Sequence, residues 1–384
     1  MGLIWPKKCH SVSFFALALT ILFPVGTFGQ PGDGLLGFVT RIGRRIDTAA
    51  VSGVDSRYIT APRQPWQITI KSSLAQTDMK MQSDIDGSAF FEGVVGNLHW
   101  EPRIRTELSS YVGLWAGYRG YGVGYSKNVK GDGGSYLTFG ATGSTYGVNL
   151  RIHRFSNDEP EVFYNGYFPD YREQTMSYHL ESPIKTHTLI LDGYYLFNGK
   201  HFSYTAAYDQ SNIQLRSAGS LMAGAMYYYS NIHYDADRNA DLILLMDDIG
   251  RIRQWEASVG VGYAYNFVPA RGWLLSAMAM PMVSFLNKLK TYHYDSNYRQ
   301  LAIDDVVHDE DELPVDEYRI WPMYEKTRHS RMVLNFDARL SLTYNWNCCF
   351  FNVYGQLNRF RFQHEHISGR LTDWFVNAQV GVRL

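Results

Sequence analysis

Met332 to Trp346 reads MVLNFDARLSLTYNW, and its alternation decides the fold. Met332, Leu334, Phe336, Ala338, Leu340, Leu342, Tyr344 and Trp346 hold one set of positions, while Asn335, Asp337, Arg339, Ser341, Thr343 and Asn345 hold the other. Side chains of a strand point alternately to opposite faces, so this segment is a strand with one apolar and one polar face. A run of about fifteen residues far exceeds the ~5–6 of a soluble strand, yet it suits a tilted strand that crosses a membrane and extends above it. Asp337 and Arg339 then point away from lipid.

The pattern recurs with different fillings. In Ala257 to Phe267, Val259, Val261, Tyr263, Tyr265 and Phe267 alternate with Ser258, Gly260, Gly262, Ala264 and Asn266, so the inward face is mostly small. From Trp374 to Leu384, Val376, Ala378, Val380, Val382 and Leu384 alternate with Asn377, Gln379, Gly381 and Arg383. An apolar residue at the end of an outward row resembles the terminal assembly signal of outer-membrane barrels, with Leu384 in place of the usual aromatic. Further segments are Trp66 to Leu74, Leu108 to Tyr118, Tyr121 to Lys127, Ser144 to Phe155, Arg172 to Leu180, Thr186 to Phe197, His201 to Tyr208, Ser220 to Tyr234, Trp273 to Lys290 and Cys349 to Phe362. Bacterial barrels favour even counts, so the expectation is twelve strands, with ten to fourteen allowed. Within Cys349 to Phe362 the apolar phase switches near Asn358. Either a bulge sits there or the strand has left the membrane.

Composition points the same way. The chain has 28 Tyr, 21 Phe, 9 Trp and 34 Gly, which is rich in strand-forming aromatics. No apolar run after residue 30 approaches the ~20 residues of a membrane helix. Only helices and closed barrels satisfy every backbone polar group in lipid, so a spanning structure here is a barrel. The fold class is therefore all-β, a single antiparallel transmembrane barrel over residues 58–384. Pro269 to Gly272 and Asn345 to Asn347 read as periplasmic turns, and Asp235 to Gly250 and Asp295 to Arg328 as external loops. Counting back from a periplasmic C-terminus puts the Asn198–Gly199 turn outside, although its chemistry suits a tight hairpin.

The first residues read as an export signal. Lys7 and Lys8 precede the apolar run Val12 to Phe28, and Thr27 and Gly29 suit cleavage after Gly29. Residues 30–57 form a lead segment, either a short amphipathic helix carrying Leu35, Val39, Ile42 and Ile46 or an irregular stretch. Cleavage removes Cys9 and leaves Cys348 and Cys349, which are neighbours on opposite faces and read as free thiols.

The stretch YYLFNGKHFSYTAAYDQSNIQLRSAGSLMAGAMYYYSNIHY at Tyr194 to Tyr234, together with WEPRIRTELSSYVGLWAGYRGYGVGYS at Trp100 to Ser126 and DSRYI at Asp55 to Ile59, resembles a family of Bacteroidota outer-membrane proteins known only as a domain of unknown function. The specific matches are Phe202, Ser203, Ser217, Ala218, Gly219 and Ser220. The resemblance covers nearly the whole mature chain and implies an outer-membrane location and a barrel. It implies no activity, and no catalytic residue carries over.

Charges balance at 36 basic against 37 acidic residues, so no nucleic-acid partner is expected. Asp304 to Glu317 is densely acidic but lacks the glycine and spacing of a calcium loop, and it reads as solvated. His364-Glu365-His366 offers two histidines on one strand face without a third ligand, so no metal or other cofactor is expected. His179 with Ser177, and His187 near Ser182, place serine and histidine close in sequence, which alone is no triad. Inward Asn335, Asp337, Arg339, Asn352, Gln356, Gln379 and Arg383 make a polar lumen of both charge signs. The expected function is a passive pore or binding channel for small solutes. The alternatives are a structural or interaction barrel with a plugged lumen, whose external loops bind protein, glycan or lipopolysaccharide, and a lipid-directed hydrolase. Expected partners are outer-membrane lipid, lipopolysaccharide and the barrel assembly machinery.

Overall fold

The computed structural model describes residues 53–86, 97–100, 103–131, 133–157, 161–164, 174–177, 183–233, 249–293, 324–329, 332–363 and 367–384. Twelve long strands form the wall: β1 (Trp66–Asp86), β2 (Ser109–Tyr118), β3 (Tyr121–Lys130), β4 (Ser135–Thr142), β5 (Tyr146–Asn157), β6 (Ile184–Leu196), β7 (Ala218–His233), β8 (Ile249–Phe267), β9 (Trp273–His293), β10 (Val333–Trp346), β11 (Cys349–Gln363) and β12 (Ile367–Arg383). Each pairs antiparallel with its neighbours in sequence, and β12 returns to β1 with Arg383 opposite Gln67 and Ile367 opposite Ser83. Closure leaves no free sheet edge along the wall, which a strand in lipid requires.

The two ends of the barrel differ. At one end Tyr118 pairs with Tyr121 across Arg119 and Gly120, and Trp346 pairs with Cys349 across Asn347 and Cys348. Arg119 (φ 51°), Gly120 (φ 88°) and Asn347 (φ 50°) supply the left-handed backbone of such tight turns. Short strands extend the wall at the opposite end: Arg103–Arg105 pairs with β1, and Tyr324–His329 pairs with β9.

The outward face is apolar. Ile70, Leu114, Val261, Leu340 and Val380 are all exposed, a surface that water would not tolerate in such quantity and that lipid covers. A belt of rings rims the short-turn end. Trp66 contacts Tyr118, Trp273 contacts Tyr344, and the Tyr121 and Tyr146 hydroxyls are 2.7 Å apart. Such rings place an apolar body in the membrane and a polar tip in its interface.

The strand reading needs three corrections. Tyr204–Tyr208, within the expected strand His201 to Tyr208, is a short helix, α1, because Ser203 caps it by accepting from the Ala206 N–H at 3.2 Å. Ser135–Thr142 is a wall strand that the alternation did not reveal, since Thr138 and Gly140 face inward beneath the Trp115 ring and carry no polar or apolar signature. Within Arg172 to Leu180 the described strand is Gln174–Ser177, a short extension of the barrel that pairs with Glu161–Tyr164 and is not one of the twelve long strands. Removing two segments and adding one brings thirteen candidates to twelve strands. With that recount, Asn198–Gly199 lies at the short-turn end.

The phase switch in β11 is no bulge. Its ladders to β10 and β12 run without a register shift from Trp346/Cys349 to Phe336/Arg359 and from Cys349/Val382 to Gln363/Ser368. Phe360 is buried in the lumen while Arg361 is exposed. The apolar side moves inward because the outward side has left the hydrocarbon.

The signal segment, the lead up to residue 52, the acidic stretch Asp304 to Glu317 and His364-Glu365-His366 lie outside the described residues. Cys348 and Cys349 form no disulfide, and their sulfurs lie 4.0 Å apart.

Candidate functional site

One connection at the short-turn end is unlike the others. Between β6 and β7 the chain runs through residues 197–217, turns into the barrel, forms α1 there and leaves again. Phe202 and Tyr204 are buried, packed with Tyr194, Leu196, Met222 and the methionines Met278, Met280 and Met282 of β9, while Ala206 and Ala207 are buried against Leu274. The small residues of β8 make this filling possible. A side chain at Gly260 or Gly262 would collide with Met282 or Met280, so the glycines give the thioethers their room.

A five-residue helix leaves most of its carbonyls without helical partners. The wall supplies the missing donors. Ser341 Oγ and Asn352 Nδ2 donate to the Ala207 carbonyl at 2.5 and 3.0 Å, Gln67 Nε2 to the Asp209 carbonyl at 2.7 Å, and Arg383 Nε and Nη2 to the Gln210 carbonyl at 3.1 and 2.9 Å. Gln379 Nε2 adds a bond to Gln210 Oε1 at 2.7 Å, and Thr142 Oγ1 donates to Asp209 Oδ2 at 2.6 Å. On the far side of the segment Asn266 Nδ2 donates to the Ser203 carbonyl at 2.8 Å and to Gln214 Oε1 at 3.0 Å. Gln214 Oε1 also accepts from the Ser203 N–H.

Above α1 a buried charge cluster crosses the lumen. Arg339 Nη2 lies 2.8 Å from Asp337 Oδ2 and 3.1 Å from Asp192 Oδ2, and Nη1 donates to the Tyr204 hydroxyl. Asp337 also accepts from Gln356 Nε2 at 3.2 Å, and Asp192 from Asn149 Nδ2 at 2.8 Å. Two carboxylates around one guanidinium would be costly in an apolar interior, and these amide donors satisfy the surplus acceptor capacity. Asn335 lies farther from the short-turn end, donating to Glu256 and accepting from the Arg361 N–H.

All seven lumen residues singled out in the sequence are thus buried, and six of them converge on α1 and its charge cluster: Asp337 and Arg339 form the cluster, Asn352, Gln379 and Arg383 bond the in-folded segment directly, and Gln356 acts through Asp337. The motif residues fall on the same element. Ser203 caps α1; Phe202 is fully buried beneath it; Ser217 Oγ accepts from the Val268 N–H; Ser220 Oγ accepts from the Asn198 N–H; Ala218 and Gly219 open β7. DSRYI joins them. The Asp55 N–H donates to the Lys200 carbonyl, and Ile59–Thr60 pairs with Ile213–Gln214 in a small separate sheet. Asp55 also meets Arg57 at 2.8 Å and His201 at 3.5 Å; the Arg57 guanidinium holds its carboxyl well below the usual carboxylate range.

A cavity of about 110 Å³ lies between α1 and the β1–β6 wall, bordered by Lys71, Trp115, Asp192, Tyr208, Asp209 and Gln379. The Lys71 ammonium sits 4.3 Å over the Trp115 ring. Sequence reading missed Tyr204, Asp192, Gln67 and the accepting carbonyls of Ala207 and Gln210. Carbonyls leave no trace in a sequence, and the alternation of Phe202, Tyr204 and Ala206 reads there as a strand. His187 is exposed on the outward face, and His179 and Ser182 lie outside the described residues.

The family described as Domain of unknown function (DUF4421) matches residues 53–383. The chain belongs to that family. The match begins just ahead of DSRYI and so takes in the small sheet, the in-folded segment and the whole wall of this DUF4421 barrel. No curated protein matches it. Among solved structures it is similar to the outer membrane protease OmpT from Escherichia coli, at 7% identity and TM-score 0.36 over 85% of this chain and 98% of that one. It is also similar to the beta domain of the Bordetella autotransporter BrkA, at 10% identity and TM-score 0.30 over 84% and 99%. A third likeness is to OprG from Pseudomonas aeruginosa, at 10% identity and TM-score 0.26 over 84% and 97%. All three are outer-membrane barrels.

Proposed function

We propose that this protein, exported by a signal peptide removed after Gly29 and inserted by the barrel assembly machinery, is a non-conducting outer-membrane scaffold that presents its long-loop end to partners outside the cell. The short turns then face the periplasm, as is usual for such barrels. The observation that carries the reading is the in-folded segment. Arg339, Ser341, Asn352, Gln379, Arg383, Gln67 and Asn266 spend their polar groups on residues 197–217 and not on a water column. The apolar filling by Met278, Met280, Met282 and Tyr204 supports the same conclusion.

Conductance tests it. The full chain in planar bilayers is expected to show no steady current, and replacing Gly199–Arg216 by a short Gly-Ser link is expected to produce one. Steady current through the unaltered barrel would overturn the reading. The cavity beside Trp115 supports a second reading, a binding barrel for a small solute, for which a molecule carried through purification and lost in Trp115→Ala would be the sign.

A further inference from the structure

The outward face of β12 changes character at a definite height. Val382, Val380, Ala378, Val376 and Trp374 form one outward row, roughly 26 Å of strand and, at a tilt of ~40°, about 20 Å of bilayer. Trp374 is flanked by Leu357 of β11 and Gln76 of β1. The next outward positions are Arg359, Thr372 and Asp78, and the next after those are Arg361, Arg370 and Lys80, each set in register across the three strands. Arg361 therefore stands directly opposite Arg370, and Arg370 directly opposite Lys80. Like charges placed so oppose pairing of the strands.

Nothing described in the protein neutralises the arginines. Asp78, the nearest outward carboxylate, is taken by Arg103 Nε at 2.9 Å, and Asp373 points into the lumen, where Arg151 holds it at 2.7 Å. Among the described residues no acceptor reaches the guanidinium groups of Arg359, Arg361 or Arg370, and Arg359 Nε is buried without a hydrogen-bond partner. A second basic group on β8 and β9 shows what compensation looks like. Arg251 Nε donates to Asn231 at 2.8 Å, Arg253 Nη1 to the Tyr292 hydroxyl at 3.1 Å, Lys290 pairs with Glu325 at 2.5 Å, and Lys288 lies 5.5 Å over the Trp255 ring.

We infer that Arg359, Arg361 and Arg370 form a binding site for the phosphate groups of lipopolysaccharide on the outer wall of the barrel. Three planar guanidinium forks within one patch suit phosphate, which they can meet bidentately. The patch lies at the upper border of the apolar band, where the phosphates of an outer-leaflet lipid stand, and Leu357, Trp374 and Val376 beneath it offer a surface for that lipid's acyl chains. The inference rests on the outer-membrane reading with the long loops outside. A phosphate here removes the repulsion that Arg361 and Arg370 impose on the β11–β12 ladder.

The test is binding of bisphosphorylated lipid A to the detergent-solubilised full chain, comparing wild type with R359Q/R361Q/R370Q and with R251Q/K290Q. Folding of each is checked by heat-modifiable gel mobility. The triple variant is expected to lose affinity by about tenfold or more, since each charged hydrogen bond is worth about that much, while R251Q/K290Q stays at the wild-type value. Dephosphorylated lipid A is expected to bind wild type and triple variant alike. Equal binding of bisphosphorylated lipid A to all three proteins would overturn the site. Phosphatidylglycerol or inorganic phosphate competing as well as lipid A would overturn the assignment to lipopolysaccharide. Labelling of R370C in intact cells by a membrane-impermeant maleimide separates the two levels. Failure to label overturns the orientation beneath the inference, whereas labelling with unaltered lipid A binding overturns the site alone.

Discussion

Two connections at the same end of the barrel solve the same task in opposite ways. Tyr118 and Tyr121 are joined by Arg119 and Gly120 alone, whose left-handed backbone makes the turn, with added bonds from the Arg119 N–H to the Pro65 carbonyl and from the Thr142 N–H to the Gly120 carbonyl. Leu196 and Ala218 are joined by residues 197–217, which make one capped helical turn and take the rest of their support from the wall. The first depends on one glycine; the second depends on donors from β1, β4, β8, β10, β11 and β12. Local turns tolerate distant change, and the in-folded segment does not.

Substitutions can break this contrast, and the largest effect is expected at Arg339. Arg339→Ala strands Asp192 and Asp337 in the lumen and frees Tyr204, and it is expected to cost about 3–5 kcal/mol in urea unfolding from lipid vesicles. It should also admit current in planar bilayers. Combining Arg339→Met with Asp192→Asn and Asp337→Asn is expected to restore most of the loss, because the uncompensated charge is then gone.

Gly120→Ala attacks the local turn. At φ 88° an alanine is strained, and its Cβ would lie 2.4 Å from Thr142 Oγ1, so a loss of about 2–3 kcal/mol is expected with no current. Ser203→Ala removes only the cap of α1 and is expected to cost about 1 kcal/mol by the same unfolding measurement. The smallest effect lies at Asp55, whose carboxyl is lowered by its Arg57 partner. A lowered group contributes stability above the ordinary carboxylate range and loses it as pH falls through its own depressed value. The tie to Lys200 and His201 is therefore expected to persist at pH 4, with protease protection of the lead segment at pH 4 equal to that at pH 7. Protection that vanishes by pH 4 would contradict it.

The wall was legible because lipid and lumen impose a period of two on β8, β10 and β12. It failed at Ser135–Thr142, where Tyr136 packs inward against Tyr111 while Thr138 and Gly140 lie beneath Trp115, so the inward positions form no uniformly polar row. The seven inward polar residues could be found by phase alone, since Asp337 and Arg339 share a face with Asn335. What they bind could not be, because Ala207, Asp209 and Gln210 offer backbone carbonyls, which any sequence would provide. The motif Phe202 to Ser220 marked the right element without its role. Its serines act as a cap and as turn acceptors, a chemistry visible only once Ala206, Asn198 and Val268 are placed beside them.

The in-folded segment also bears on assembly. Its bonds to Ser341, Gln67 and Arg383 span separations of 134, 142 and 173 residues, drawing on both ends of the barrel's sequence. Contacts that enclose such long loops form only after much chain entropy has been given up. The pairing of β12 with β1, Arg383 opposite Gln67, encloses a longer loop still, so the filling of the bore and the closure of the wall around it are expected to finish together.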